Sequence, residues 1–146
     1  MEREQRLKEI REAIDAGRLT LQYLNRARQE LDSASGFGIA DMLGFDLIGG
    51  IGKHMKLNNA KRELEAAKWQ VMNFQKELRD VSGVLNFQID IGGFLTFADF
   101  FFDGILADVF VQSKIGQAKE QVNQAAWQIN QIIQDLLRME QETLRL

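Results

Sequence analysis

The sequence predicts an all-α protein, and three observations support this: long heptad patterns, the absence of proline, and two related segments. The 146 residues contain no proline, and because proline disrupts helix interiors at a cost of about 3 kcal/mol, long helices are free to form. Three stretches repeat apolar residues at alternating spacings of three and four, which is typical of helices that pack against one another. We therefore expect a single helical domain over residues 1–146: an elongated antiparallel bundle of three long helices with short Gly- and Phe-rich helical segments.

The three heptad stretches define the long helices in chain order. The first belongs to an N-terminal coiled-coil helix over residues 1–33, with seam positions Leu7, Ile10, Ile14, Gly17, Leu21, Leu24, Arg28 and Leu31. The second has seam positions Leu57, Ala60, Leu64, Ala67, Val71, Phe74, Leu78 and Val81. The third has Ile115, Ala118, Val122, Ala125, Ile129, Ile132, Leu136 and Met139. The alanines in these seams allow close approach of the helices.

The sequences of the second and third stretches align without a gap at a shift of 58 residues. This shift places Trp69 on Trp127 and Asp41 on Asp99, together with the neighbours Gln70 and Ala40 on identical residues. Any two heptad helices would align their apolar positions, but heptads do not explain these identities. We therefore predict an internal duplication, with repeat units over residues 36–82 and 94–146.

Two segments between the heptad stretches have a different composition. Residues 33–53 are rich in glycine, and residues 82–112 are rich in phenylalanine. Apolar and polar residues alternate from Leu85 to Ile91, which predicts a short extended segment at 84–91 packed on the helices. Connections of this length are too long for plain loops in a compact domain, so the remainder is predicted to fold onto the bundle as short helices.

The Gly-rich segment has the pattern Ser-Ala-Ser-Gly-aromatic-Gly, followed by an aspartate, a glycine pair and Lys-His. The matching residues are Ser33, Ala34, Ser35, Gly36, Phe37, Gly38, Asp41, Gly49, Gly50, Lys53 and His54. This pattern resembles a family of uncharacterised bacterial helical proteins, and residues 92–108 resemble the second half of that family. Phe37 stands where the family pattern has tryptophan. The resemblance implies a bacterial helical protein and no particular activity.

Composition excludes several classes of function. The chain has no cysteine, which removes disulfides, thiolate catalysis and cysteine-bound zinc. Its net charge of −3 gives no general attraction to nucleic acid. The glycine-rich run at 49–54 lacks the first glycine and the final Ser or Thr of a phosphate loop. No cofactor or small-molecule substrate is expected, and the N-terminus lacks the apolar core of a secretory signal, so a cytoplasmic location is expected.

The polar candidates for chemistry are His54 and four aspartates. His54 with Asp41 or Asp46 would offer a metal ion one imidazole and hard carboxylate oxygens. Their spacing matches no established ligand motif, and Gln112 takes the place of His54 in the repeat, so no metal site is predicted. Asp41 and Asp99 are equivalent in the repeat and are predicted to cap helix N-termini. Asp99 and Asp103 would share one helical face, without a complementary catalytic group beside them.

Trp69 and Trp127 are the candidate partner-binding residues. Both lie on the side of their helix opposite the heptad seam. A large aromatic side chain there either packs under the Gly- and Phe-rich segments or stays exposed for a partner. We therefore expect a non-enzymatic interaction or scaffolding protein that binds another protein or a second copy of itself.

The alternative is a peripheral membrane protein that inserts its Gly- and Phe-rich segments. The apolar run 91–111 is long enough for a bilayer core, but Asp99, Asp103 and Asp108 each cost about 2.5–3.5 kcal/mol near its centre. The run has no Lys or Arg, which interfacial helices place beside lipid headgroups. The two functions differ in whether four apolar residues are buried under the helices, as a scaffolding protein requires, or exposed for insertion. These residues are Phe94, Phe97, Phe101 and Ile105.

Overall fold

A computed structural model of the chain describes residues 2–42, 46–84, 92–96, 98–99, 104 and 115–146. Side chains are described for 2–34, 58–83, 92–96, 98–99, 104 and 115–146. Three long helices are present: α1 (Glu2–Met42), α2 (Asp46–Val84) and α3 (Ile115–Leu144). Residues 92–96 and 98–99 are also helical and are called the short helical segment below. Within these described ranges there is no strand, so the all-α prediction is confirmed.

The Gly-rich segment does not form an element of its own. α1 continues beyond the predicted end at residue 33 to Met42, and α2 already begins at Asp46. The described glycines of this segment therefore lie in the last turns of α1 and the first turns of α2. The extended segment predicted at 84–91 lies outside the described residues except for Val84, which is the last residue of α2.

Contacts between side chains define how α3 runs along α1. The Arg3 guanidinium donates to the Leu144 carbonyl oxygen at 2.9 Å, and Arg11 pairs with Glu140 at 2.8 Å. Further along α1, Asp32 pairs with Lys119 at 2.7 Å. Residue numbers rise along α1 while those of the partners fall, so α3 is antiparallel to α1.

α2 is also antiparallel to α1. The buried Thr20 hydroxyl lies 2.7 Å from the Ala16 carbonyl oxygen in α1 and 3.2 Å from the Gln70 carbonyl oxygen in α2. Three residues earlier in α1, the Gly17 Cα faces both the Phe74 ring of α2 and the Ile133 side chain of α3. α1 therefore packs against both other long helices, and α2 and α3 run in the same direction.

The predicted seam of α1 is buried at Ile10, Ile14, Gly17, Leu24 and Leu31, but the buried face of this helix is wider than the seam. Arg28, a predicted seam position, is exposed, and its guanidinium donates to the Asn25 side chain at 2.7 Å. In addition to the seam, small residues at seven-residue intervals are fully buried. They are Ala13, Thr20, Ala27 and Ala34. Because α1 lies against two helices, its buried face must be wider than one heptad seam, and small side chains allow both neighbours to approach.

The seams predicted for α2 and α3 are confirmed where side chains are described. From Ala60 to Val81 in α2, every predicted position is buried. In α3 every predicted position from Ile115 to Leu136 is buried, and Met139 is half-buried. The side chain of Leu57 lies outside the described part of the chain. These apolar residues form the core together with the buried face of α1.

The short helical segment packs on α2. Phe94 is buried with its ring 5.9 Å from that of Phe74, in an edge-to-face arrangement. The Gln75 amide donates to the Leu95 carbonyl oxygen at 3.5 Å, a long hydrogen bond. Edge-to-face aromatic pairs contribute about 0.5–1.5 kcal/mol beyond the area they bury, so the contact between the two phenylalanines helps to hold this segment on α2.

Candidate functional site

The two tryptophans singled out by the repeat are both exposed. Trp69 is 66% exposed and Trp127 is 63% exposed. Each follows a buried seam residue by two positions, Ala67 in α2 and Ala125 in α3, and so lies on the outer side of its helix. No described residue buries either tryptophan, and most side chains of the Gly- and Phe-rich segments, which the sequence offers as a cover, lie outside the described part of the chain. Exposed tryptophans are enriched at protein interfaces because they bury a large area with few rotatable bonds.

Trp69 and Trp127 lie at a similar height along α1. Trp69 precedes Gln70, whose carbonyl oxygen lies near Thr20. Trp127 lies on α3 between the residues that contact Gly17 and Asp32. No pair of described Cα atoms from α2 and α3 lies within 8 Å. The two tryptophans are thus on separate helices at the middle of the molecule.

A groove of about 450 Å³ lies between α2 and the short helical segment. Its floor includes the buried Val71, Gln75 and Ala98, and its rim includes the partly exposed Met72. The charged lining residues are Lys68, Arg79 and Asp99. The lining mixes apolar and charged side chains and does not indicate a particular ligand.

The predicted capping residues occupy different places. Asp41 lies in the last turn of α1, and its side chain is outside the described part of the chain. Asp99 is exposed and follows helical residues 92–96. The capping roles of both remain predictions. The residue that begins α2 is Asp46, a residue type that N-capping favours. The side chains of Asp46 and His54 are not described, so the metal hypothesis lies outside the described residues.

A cluster of carboxylates forms where α1 meets α2. Oxygen atoms of Glu9, Glu12 and Glu77 lie within 4.8 Å of one another. Burial raises the pKa of Glu77, and the charges of Glu12 and Asp80 raise it further. One Glu77 oxygen is buried without a hydrogen-bond partner. The three side chains range from half-buried to exposed, and solvated acidic groups alone do not define a metal site. Sequence analysis missed this cluster because Glu77 lies 65 or more residues from Glu9 and Glu12 along the chain.

Glu77→Gln is expected to raise the free energy of unfolding at pH 7 by about 0.5–1 kcal/mol, since it removes like-charge contacts and supplies an amide donor. Because the folded-state pKa of Glu77 is raised, folding takes up a proton, and stability falls as the pH rises above the unfolded-state value of 4.5. The stability gained by Glu77→Gln should therefore vanish at low pH, where Glu77 is protonated in both the folded and the unfolded state. Urea unfolding of both proteins from pH 3.5 to 8 measures this.

Glu65→Gln, at an exposed position on the same helix, is the control and should not show this pH-dependent gain. An equal gain for Glu77→Gln at every pH would contradict the electrostatic explanation.

The residues relevant to membrane binding are only partly described. Phe94 is 4% exposed, whereas Phe97, Phe101 and Ile105 lie outside the described residues. In the part of the chain that the structure describes, no helix has both the length and the apolar character that crossing a bilayer requires.

The fold and the surface define an all-α protein of long packed helices with two exposed tryptophans. Comparison of the chain with protein-family models, curated proteins and solved structures finds no match. The resemblance to bacterial helical proteins remains a prediction.

Proposed function

We propose that this chain is a non-enzymatic interaction or scaffolding protein, and that its tryptophan faces bind another protein or a second copy. The observation that carries this proposal is the exposure of Trp69 and Trp127, each about two thirds exposed on the outer side of a long helix. Tryptophan buried in an interface is among the residues with the largest effects on binding. We expect the protein to act in the cytoplasm.

The proposal includes an elongated antiparallel bundle built on an internal duplication. α1 has 41 residues, which corresponds to roughly 60 Å at 1.5 Å per residue. The similar exposure of Trp69 and Trp127 supports the duplication, because these two residues are equivalent in the repeat and the heptad seam does not require a tryptophan at either position. The common direction of α2 and α3 against α1 agrees with two copies of one unit. A rigid frame of this kind suits a protein that holds partners at defined positions.

The membrane alternative has less support. Phe94, one of the four residues that decide it, is buried against Phe74. Inserting Phe94 into a bilayer would require the short helical segment to leave α2 and would expose the Phe74 ring. The exposed tryptophans are compatible with an interfacial position, but the stretch from Gln121 to Gln134 around Trp127 has no Lys or Arg.

The proposal can be tested by photo-crosslinking in the cell of origin. A photoreactive phenylalanine analogue replaces Trp69 or Trp127 in the full chain, and adducts are identified by mass spectrometry. We expect a defined protein adduct from at least one of these positions. Asp80 and Arg138 are matched controls because they are exposed, lie three turns from each tryptophan and are themselves equivalent in the repeat.

Equal or absent adducts at the tryptophan and control positions would overturn the proposal. Flotation of the purified protein with neutral and anionic liposomes tests the alternative. Flotation that is lost in a Phe94→Ser variant of intact helical content would favour the membrane function.

A further inference from the structure

The exposed face of α3 around Trp127 has no charged residue over a long stretch. From Gln121 to Gln134 the sequence contains no Asp, Glu, Lys or Arg, although 27% of the whole chain is charged. The exposed neighbours of Trp127 on the same helical face are almost all amides. They are Asn123, Gln124, Asn130, Gln131 and, one turn further, Gln134. We call these residues and Trp127 the amide face.

The equivalent face of α2 is different. The residues around Trp69 include Glu65 and Lys76, both exposed and charged, whereas their counterparts in α3 are the amides Asn123 and Gln134. The two helices keep the same buried seam, so packing against α1 does not require a neutral outer face. The amide face is therefore a property of α3 that the core does not explain. Depletion of charge around an exposed aromatic residue is the composition found at the centre of protein interfaces.

We propose that the amide face binds the same face of a second copy of this chain. This inference rests on the proposed function and names its partner. A two-fold symmetric interface brings each patch against itself, so the patch must be self-complementary. Side-chain amides meet this condition because each one both donates and accepts hydrogen bonds. A face with charges of one sign would repel its own copy.

A two-fold axis near Trp127 makes the two α3 helices antiparallel and stacks the two indole rings at the centre. Asn123 then lies opposite Gln131 of the second copy, and Gln124 opposite Asn130. Each pair can exchange hydrogen bonds without removing a charge from water. The face is about 20 Å long at 1.5 Å per residue, which places the interface at the small end of specific interfaces. We therefore expect reversible association with a dissociation constant in the micromolar to submillimolar range.

Other partners fit this face less well. Nucleic acid and anionic lipid surfaces require lysine and arginine, and the amide face has none. A bilayer interior would leave the amides without hydrogen-bond partners, which is costly. A charged peptide finds no opposite charge there. Within the described residues, neither the Trp127 ring nor the amides of this face have a partner. The second copy supplies both a ring and amides.

Charge substitutions on the amide face provide the test. The full chain is compared with Gln124→Glu/Gln131→Glu and Gln124→Lys/Gln131→Lys variants by sedimentation equilibrium, from low micromolar to several hundred micromolar. We expect the wild type to dimerise and each variant alone to bind itself at least about tenfold more weakly. An equimolar mixture of the two variants should associate more strongly than either alone. All substituted positions are exposed and receive good helix formers, so the fold is retained.

The controls separate this inference from the proposed function. Trp127→Ala should abolish dimerisation, and Trp69→Ala should leave it unchanged. A monomeric wild type at the highest concentration overturns the inference, as does a dimer that persists in both charged variants. A dimer lost only in Trp69→Ala overturns it as well but leaves the proposed function intact. If a protein adduct forms in cells while the purified chain stays monomeric, the inference is likewise overturned and the proposed function is left intact.

Discussion

Phe74→Ala is expected to lower the free energy of unfolding by about 3–5 kcal/mol, the range for removing a fully buried phenylalanine. The Phe74 side chain is 0% exposed and contacts two other parts of the molecule. Its ring meets Phe94 of the short helical segment and lies against the position of Gly17 in α1. Alanine leaves a cavity between helices that cannot close without moving both. Urea unfolding followed by circular dichroism measures the loss.

The substitution should also loosen the short helical segment, because it removes the aromatic contact that holds Phe94. Hydrogen exchange at residues 92–96 should accelerate more than exchange in the middle of α3. Trp69→Ala is the matched control, five residues away on the same helix but mostly exposed. It should change stability by less than about 1 kcal/mol, since alanine offsets lost contacts with higher helix propensity. Equal costs for the two variants would contradict the burial assigned to these residues.

The difference between these two aromatic residues could be predicted from sequence alone. A spacing of three and four places Phe74 in the seam and Trp69 opposite it. The same rule correctly predicted the buried positions of α2 and α3, because each of these helices presents one main apolar face to its neighbours. Sequence reasoning could not choose whether the tryptophans are covered, because that depends on where distant segments pack.

α1 shows where the rule fails. The spacing of three and four places Arg28 in the seam, where it is exposed, and leaves out Ala27, which is fully buried. Alanine, threonine and glycine carry little hydrophobic signal, yet their small size allows two helices to lie against α1. Ala13, Thr20 and Ala27 follow one another at intervals of seven residues, and this spacing of small residues is the sequence signal for the second contact face.

The C-terminal end of α1 and the N-terminal end of α2 could not be predicted because glycines surround both. Glycine disfavours helix by about 1 kcal/mol relative to alanine, so the Gly-rich segment was assigned to a separate element. Helix instead continues to Met42 and resumes at Asp46. The absence of proline was the more informative observation, since only proline imposes a steric break. The carboxylate cluster at Glu77 could not be predicted, because it requires the register between α1 and α2.

Gly17→Val is expected to destabilise the protein by at least about 3 kcal/mol, the upper range for overpacking a core. A Cβ atom at Gly17 would lie 3.0 Å from the Phe74 ring and 3.0 Å from the Ile133 side chain. Both neighbours are buried and belong to different helices, so a shift away from one leads into other core residues. Valine adds two further methyl groups to this contact. Thermal unfolding should show a decrease in Tm of roughly 6–12 °C.

Gly116→Val isolates the steric part of this effect. Gly116 is exposed near the start of α3, and a Cβ atom there would meet nothing within 4 Å. This substitution should change stability by less than about 0.5 kcal/mol, because valine has a higher helix propensity than glycine and no contact to disturb. Gly17→Ala should lie between the two, since its propensity gain of about 1 kcal/mol opposes the tight contact. If Gly17→Val were as stable as the wild type, α1 could not lie as close to both α2 and α3 as the Gly17 contacts require.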